Sequence, residues 1–192
     1  ENNQEYIDYA VWMVTSIWDI LKDTESGLIH QARSCKGHPE GYITQDCWSR
    51  GNGWFSLAMV QLMRHLPETH KDYAAIRSIA KEFYLSVLKY RNDEGLWNQE
   101  MTWPDSYTEI SGSALLLYGI GSAIEEGVLP DTFKADYLRS LKSLLTYVSE
   151  DGDVGHTCSG CLAYRNGTKA DYASHLYYTN DAHAFGPVLL CL

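Results

Sequence analysis

Positive charge, phenylalanine and long apolar runs are all scarce in this sequence of 192 residues. Lys and Arg number 15 against 25 Asp and Glu, which gives a net charge of −10. Proteins that bind nucleic acid need clustered cations, so no nucleic acid is expected as a partner. No apolar run reaches the roughly 18 residues of a membrane span, so no membrane is expected either. The residues before the first predicted helix do not have the pattern of a targeting segment, and we expect a processed, trimmed or partial chain.

Cysteine occurs at five positions, so at least one thiol is free or paired outside the chain. Cys158 and Cys161 have the spacing of zinc ligands, but no second such pair exists to complete four ligands. A local turn, with or without a disulfide, is therefore favoured over a metal site. The tripeptide Asn-Gly-Thr at 166–168 is a glycosylation acceptor. These features favour an extracellular protein, with a cytoplasmic one as the alternative.

Apolar residues recur at three- and four-residue spacing in six segments, which predicts an all-α protein. The predicted helices span 5–22, 53–66, 73–90, 111–126, 131–149 and 181–192. The predicted buried stripe includes Tyr6, Met13 and Val14 in the first helix and Trp54 in the second. The chain has 14 Tyr and 6 Trp against 4 Phe, and rings with a polar group suit sugar-binding surfaces as well as cores.

The helices alternate with a repeated turn, which predicts three helical hairpins in tandem. An acidic turn containing Gly27, Gly95 or Gly152 follows the first, third and fifth helix. The repeating unit is about 60 residues long, as in toroids and solenoids of helix pairs. One helix of each pair would line the inside. Since three hairpins make only an open arc, residues 1–192 are expected to be a single partial domain whose upstream hairpins are missing.

The long loops and the N-termini of the second, fourth and sixth helices are expected to share one rim. Aromatic, cationic and amide groups that converge on a concave rim favour a site for a polar ligand. Two Trp that flank an Arg suit an anionic sugar, because indoles stack on pyranose rings and a guanidinium binds a carboxylate with two hydrogen bonds. The rim residues are Trp48, Arg50, Trp54, Tyr107, Glu109, Ser111, Asn180, Asp181 and His183.

Several residues of these loops and helix starts also have a purely structural interpretation. Trp54 could belong to the core, and Arg50 could pair with an acid on a neighbouring loop. His30 could be a hydrogen-bonded structural histidine. Asn52 could lie near the capping position of a helix that begins after it, and Glu109 could stabilise a helix N-terminus through its charge.

Several motifs in order resemble glycoside hydrolase family 105, the unsaturated rhamnogalacturonyl hydrolases, and the related family 88 of unsaturated glucuronyl hydrolases. The resemblance covers essentially the whole chain and implies an (α/α)6 barrel of six helical hairpins, of which this chain supplies about half. The motifs are Gly27-Leu28-Ile29-His30, Trp48-Ser49-Arg50-Gly51-Asn52-Gly53-Trp54, Leu66-Pro67, Glu109-Ile110-Ser111-Gly112-Ser113, Cys158-Ser159-Gly160 and Asn180-Asp181-Ala182-His183.

The resemblance also implies roles for particular residues. His30, Trp48, Arg50 and Trp54 match positions that bind the unsaturated uronic acid, and Glu109 and His183 match positions near the same rim. The family's general acid is an Asp in a D-x-F-M type segment upstream of residue 1, so no catalytic residue is assigned within the chain. The chain departs from the family at two positions, Cys161 in place of Thr and Ala184 in place of Gly.

The reaction implied is hydration of a vinyl ether. The enzyme would remove a C4=C5 unsaturated uronic acid from the non-reducing end of pectin-derived rhamnogalacturonan oligosaccharides, without metal or organic cofactor. Its expected partners are that oligosaccharide and the N-terminal half of the same enzyme as a companion chain. Two alternatives stay open: a non-catalytic sugar-binding or structural arc, and another (α/α)-barrel carbohydrate enzyme such as a lyase or epimerase.

Overall fold

The computed structural model describes residues 3–160 and 166–192, which form mostly helices. The helices are α1 (Gln4–Leu21), α2 (Ser49–His65), α3 (Tyr73–Lys89), α4 (Ile110–Glu125), α5 (Lys134–Leu145), α6 (Lys169–Ala173) and α7 (Ala182–Leu190). Two short strands, β1 (Thr157–Cys158) and β2 (Tyr177–Tyr178), pair antiparallel, with Thr157 opposite Tyr178. The all-α class is confirmed, whereas α6 and the strand pair were not predicted. Within the described ranges, no helix is long and apolar enough to cross a membrane.

The long helices form two layers. The inner layer contains α2, α4 and α7, with α4 in the middle in contact with both of the others. In the outer layer, α1 packs on α2, α3 packs on α2 and α4, and α5 packs on α4. In this arrangement the inner layer is open at α2 and at α7.

Glycines let the two inner helices α2 and α4 approach closely. A Cβ added to Gly112 would lie 2.5 Å from the backbone nitrogen of Arg50, and one added to Gly53 would lie 2.7 Å from Leu115 Cβ. A Cβ added to Gly119 would lie 2.7 Å from Tyr84 Oη. No larger residue fits at these positions without displacing its neighbours. The glycines therefore allow the N-terminus of α4 to lie against the first turn of α2.

Two helix boundaries differ from the prediction by four residues. Helix α2 begins at Ser49 rather than at residue 53, so the Gly-Asn-Gly sequence at 51–53 lies inside the helix. Helix α5 ends at Leu145 rather than at residue 149. The chain leaves α5 there because Val148 forms a bridge with Val154 across the acidic turn, which takes these residues out of the helix.

The predicted buried stripes were partly wrong. Tyr6 is 74% exposed, Met13 is 44% exposed and Trp54 is 47% exposed. Helix α1 carries apolar residues on two faces, and the core takes the face with Val11, Val14 and Trp18. Both ends of the arc therefore present apolar side chains to solvent: Tyr6, Tyr9, Trp12, Met13 and Ile20 on α1, and Phe185, Leu189 and Leu190 on α7.

Candidate active site

Backbone hydrogen bonds join the loops that precede α2 and α4. Ser49 N donates to Gln99 O (2.9 Å), and Gln99 N donates to Tyr107 O (2.8 Å). Glu109 N donates to Trp97 O (2.9 Å). The segment that follows α3 thus lies between the starts of the two inner helices and fixes them side by side.

The third rim segment is attached in the same way. Ile110 N donates to His156 O (3.0 Å), which connects the start of α4 to the loop after α5. Asn180, with a left-handed backbone (φ 62°), accepts from Val154 N through Oδ1 (2.9 Å) and donates its own N–H to Val154 O (2.8 Å). Asp181, the N-cap of α7, follows directly. The prediction that the N-termini of α2, α4 and the last helix share a rim is confirmed.

Glu109 is a fully buried carboxylate that joins three chain segments. It accepts hydrogen bonds from Ser111 N and Oγ and from Gly112 N, all at the start of α4. It also accepts from Ser49 Oγ (3.1 Å) and from Cys158 N (3.1 Å). The prediction that Glu109 stabilises a helix N-terminus is confirmed, and the same carboxylate also binds α2 and β1.

Arg50 is 1% exposed, and the two terminal nitrogens of its guanidinium donate to protein acceptors, whereas Nε has no partner among the described residues. Nη1 donates to Ser111 Oγ (3.1 Å) and Cys158 O (2.8 Å), and Nη2 donates to Ser159 O (3.0 Å). The guanidinium carbon lies 4.5 Å from the centre of the Trp48 ring, a cation–π contact. Arg50 therefore ties β1 and the residue after it to the inner helices, and its terminal nitrogens do not face an open pocket.

The two tryptophans have different environments. Trp48 is buried and packs with Cys158, Tyr107 and Tyr172. Trp54 is half-exposed, and it follows Arg50 by one helical turn on the same face of α2. The core interpretation of Trp54 is therefore wrong, and its ring is available for stacking.

His30 is placed by Asn52. The amide of Asn52 accepts from Ile29 N (2.9 Å) and donates to Ile29 O (3.0 Å) and Trp48 O (3.0 Å), so the capping role proposed for Asn52 is wrong. These bonds hold His30 beside the start of α2. Burial lowers the pKa of His30, while the carboxylate of Asp23, 3.8 Å from Nε2, opposes this shift.

Asp181 and His183 are joined by a short hydrogen bond between their side chains at the start of α7. Asp181 Oδ1 lies 2.7 Å from His183 Nδ1 and also accepts from His183 N (3.0 Å). Burial acts to raise the pKa of Asp181, but these hydrogen bonds and the charges of His183 and Arg50 lower it overall. Because an ionised carboxylate can only accept, Nδ1 of His183 donates and Nε2 stays available to a ligand on the exposed side.

A buried pair of acids behind the rim was missed by sequence reasoning. Asp46 is fully buried, and within the described part of the chain neither of its oxygens has a hydrogen-bond partner. Burial raises the pKa of Asp46 to about 7, and the charge of Glu100 adds to this shift, while the nearby Thr44 hydroxyl and the Asp46 backbone N–H oppose it. Glu100 is itself buried but accepts from Cys47 N (2.7 Å) and Thr102 Oγ1 (2.6 Å). The signal in the sequence that could have indicated Asp46 is its position two residues before Trp48, the first residue of the motif at 48–54.

Helix α6 was also missed, although its start has a recognisable signature. Thr168 caps the helix by accepting from Asp171 N, and Asp171 accepts from Thr168 N, which is a reciprocal capping box. Thr-x-x-Asp in the sequence could have predicted it. Cys158 is a free thiol, while Cys161 lies outside the described residues. Ala184 is fully buried on the side of α7 that packs on α4.

The chain is similar to known hydrolases of oligosaccharides both in sequence and in fold. The unsaturated rhamnogalacturonyl hydrolase YesR of Bacillus subtilis is 29% identical over 149 residues, which cover 77% of this chain and 41% of YesR. An unsaturated 3S-rhamnoglycuronyl hydrolase of Alteromonas sp. is 25% identical over 80% of this chain and 38% of its own length. The solved structure of a family 105 glycoside hydrolase from C. acetobutylicum has the same fold (TM-score 0.84, 24% identity), covering 98% of this chain and 57% of that one.

The chain spans about two fifths of the length of these curated relatives, which agrees with three of the six hairpins of an (α/α)6 barrel. The profile of Glycosyl Hydrolase Family 88 matches residues 1–192 without interruption. The chain therefore belongs to glycosyl hydrolase family 88.

Proposed function

We propose that the protein containing this chain hydrolyses oligosaccharides that carry a C4=C5 unsaturated uronic acid at the non-reducing end, with rhamnogalacturonan fragments as the substrate class. The observation that carries the proposal is the family match along the entire chain. The names of the curated relatives, an unsaturated rhamnogalacturonyl hydrolase and an unsaturated 3S-rhamnoglycuronyl hydrolase, support this substrate class.

The chemistry requires one proton donor and one water. A general acid protonates C4 of the vinyl ether, water adds at C5, and the resulting hemiketal opens so that C5 becomes a ketone. The hemiacetal left at C1 then releases the attached saccharide. We propose that the acid is an Asp from the part of the protein outside this chain, and that this chain supplies the binding surface.

Within that surface, His30, Trp48, Arg50 and Trp54 have separate tasks. Half-exposed Trp54 stacks on the sugar ring, and His30 borders the pocket beside it. Trp48 and Arg50, both buried, form the base that holds these residues and β1 in position. His183, oriented by Asp181, offers Nε2 to a substrate hydroxyl or to the attacking water.

The apolar residues exposed on α1 and α7 support a barrel completed by further hairpins. We propose that the N-terminal half of the same enzyme covers them, either as upstream residues or as a companion chain. Native and denaturing mass measurements of the purified enzyme distinguish one long chain from two.

The decisive test is a spectroscopic assay of the full-length protein. An unsaturated rhamnogalacturonan disaccharide should lose the ultraviolet absorbance of its double bond, and the saturated disaccharide should remain intact. A rise in absorbance on a polymeric substrate would instead identify a lyase. Binding without any turnover would identify a non-catalytic sugar-binding protein.

A further inference from the structure

The proposed substrate carries a carboxylate, and the cation predicted to bind it is already occupied. Both terminal nitrogens of Arg50 donate to Ser111, Cys158 and Ser159. With a net charge of −10, this chain offers no general attraction for an anion, so within it any attraction must come from a local cation. Another positive group beside the rim would serve this purpose.

Helix α6 carries such a group next to His30 and Trp48. The turn before this helix is docked on the loop that precedes α2, because Gln45 N donates to Gly167 O (2.8 Å) and Tyr42 Oη donates to Asn166 O (3.3 Å). The capping box between Thr168 and Asp171 then fixes the first turn of α6. Lys169 is the first residue of this helix.

The direction of Lys169 follows from its neighbour on the same helix. Tyr172 is buried against Trp48, and Lys169 precedes it by three residues, so both lie on one face of α6. Burial dominates the pKa shifts of His30 and Glu100, and the charge of Lys169 lowers the pKa of both groups, which agrees with an ammonium group near them.

Lys169 is also unoccupied. In residues 3–160 and 166–192 its ammonium makes no ion pair within 4.0 Å and no hydrogen bond, while the side chain is only partly exposed. A lysine binds a carboxylate as a mobile point charge, whereas the fixed guanidinium of Arg50 suits the carbonyls that it already holds.

We propose that Lys169 binds the carboxylate of the unsaturated uronic acid and that Arg50 serves to hold the rim together. This assignment rests on the proposed function. It makes Lys169 the residue that selects the acid form of the substrate over a neutral form.

The test uses the full-length protein and two substrates, the unsaturated disaccharide as free acid and as methyl ester. In Lys169→Met the KM for the acid should rise at least tenfold, or about 1.4 kcal/mol, with kcat little changed and the KM for the ester unchanged. Lys169→Arg should restore most of the affinity. Lys36→Met removes an equal charge from an exposed loop residue and should leave both KM values as in the wild type.

Two results would overturn the assignment: an unchanged ratio of KM values for acid and ester in Lys169→Met, or an equal rise for both substrates. Equal melting temperatures of the variants and the wild type verify that the fold is retained. If the wild-type protein leaves the double bond of every unsaturated substrate intact, the proposed function itself fails, and this result is distinguishable because it involves no variant.

Discussion

At the scale of single residues, buried charge is concentrated in the rim rather than in the core between the hairpins. Glu109 satisfies its charge with five hydrogen-bond donors, and the two terminal nitrogens of Arg50 donate to one hydroxyl and two carbonyl acceptors. Asp46 is the contrasting case, because it is equally buried and lacks a partner in the described residues. Neutralising Glu109 is therefore expected to lower the stability of the fold, whereas neutralising Asp46 is expected to raise it.

Replacing Asp46 by Asn should stabilise the protein at alkaline pH. The pKa of Asp46 is about 7 in the folded state and about 4 in the unfolded state. Between pH 4 and pH 7 the folded state therefore binds an extra proton, and the wild type loses stability as the pH rises through this range. The loss amounts to about 4 kcal/mol at most. Urea denaturation at pH 8 should show Asp46→Asn as the more stable protein, with the advantage absent at pH 4. Asp105→Asn, at an exposed site, is the control, and an advantage independent of pH would contradict this explanation.

Replacing Glu109 by Gln should destabilise the protein. The amide of Gln would place an N–H₂ donor against groups such as Ser111 N that donate to the carboxylate of Glu109. It would also remove the negative charge beside Arg50, whose Nη1 lies 4.0 Å from Glu109 Oε1. We expect a loss of about 2 to 4 kcal/mol in the free energy of unfolding. Glu125→Gln, which breaks a surface pair with Arg64, should cost less than about 1 kcal/mol. Similar costs for the two variants would argue against a joining role for Glu109.

At the scale of elements, Gly119 of α4 and Gly186 of α7 differ in how closely neighbouring atoms approach them. A Cβ at Gly119 would collide with Ser56 and Tyr84, whereas nothing lies within 4 Å of one at Gly186. Gly119→Ala should therefore cost about 1 to 3 kcal/mol through overpacking of α2 on α4. In this chain Gly186→Ala meets no such clash, and because Pro187 disfavours a helical conformation of the residue before it, we expect a change within about 0.5 kcal/mol. Equal losses of melting temperature in the two variants would disprove the close approach of the inner helices.

The long helices were predictable because apolar periodicity extends over several turns. The start of α2 was not, because Gly51 and Gly53 signal a turn locally, and only the contact of α4 with that turn makes them helical. The buried face of α1 was not predictable either, because both of its faces are apolar.

For the candidate site, the motifs predicted which loops and helix N-termini lie side by side, whereas the contacts of each side chain depend on distant segments. Arg50 lies 108 residues from Cys158 in the chain, so no local pattern could have indicated that its guanidinium is occupied.

At the scale of the whole molecule, exposed apolar residues at the ends of the arc should behave as buried ones in the complete enzyme. Met13 (44% exposed) and Leu138 (47% exposed) look equivalent in this chain. Met13 lies on α1 at an open end, whereas Leu138 lies on α5 in the outer layer. In the full-length protein, Met13→Glu should cost more than about 2 kcal/mol, and Leu138→Glu should cost less than about 0.5 kcal/mol. A Met13→Glu protein as stable as the Leu138→Glu protein would mean that no further hairpin covers α1.

The joining of three segments by Glu109 has a consequence for how the protein folds. Its partners Ser49 and Cys158 lie 60 and 49 residues away along the chain, so each contact closes a long loop before it gives any stabilisation. Such contacts form late and slow the folding reaction. The rim should thus be assembled in a final cooperative step, after the individual helices exist, and a folding intermediate with native helix content would still lack the rim's arrangement of side chains.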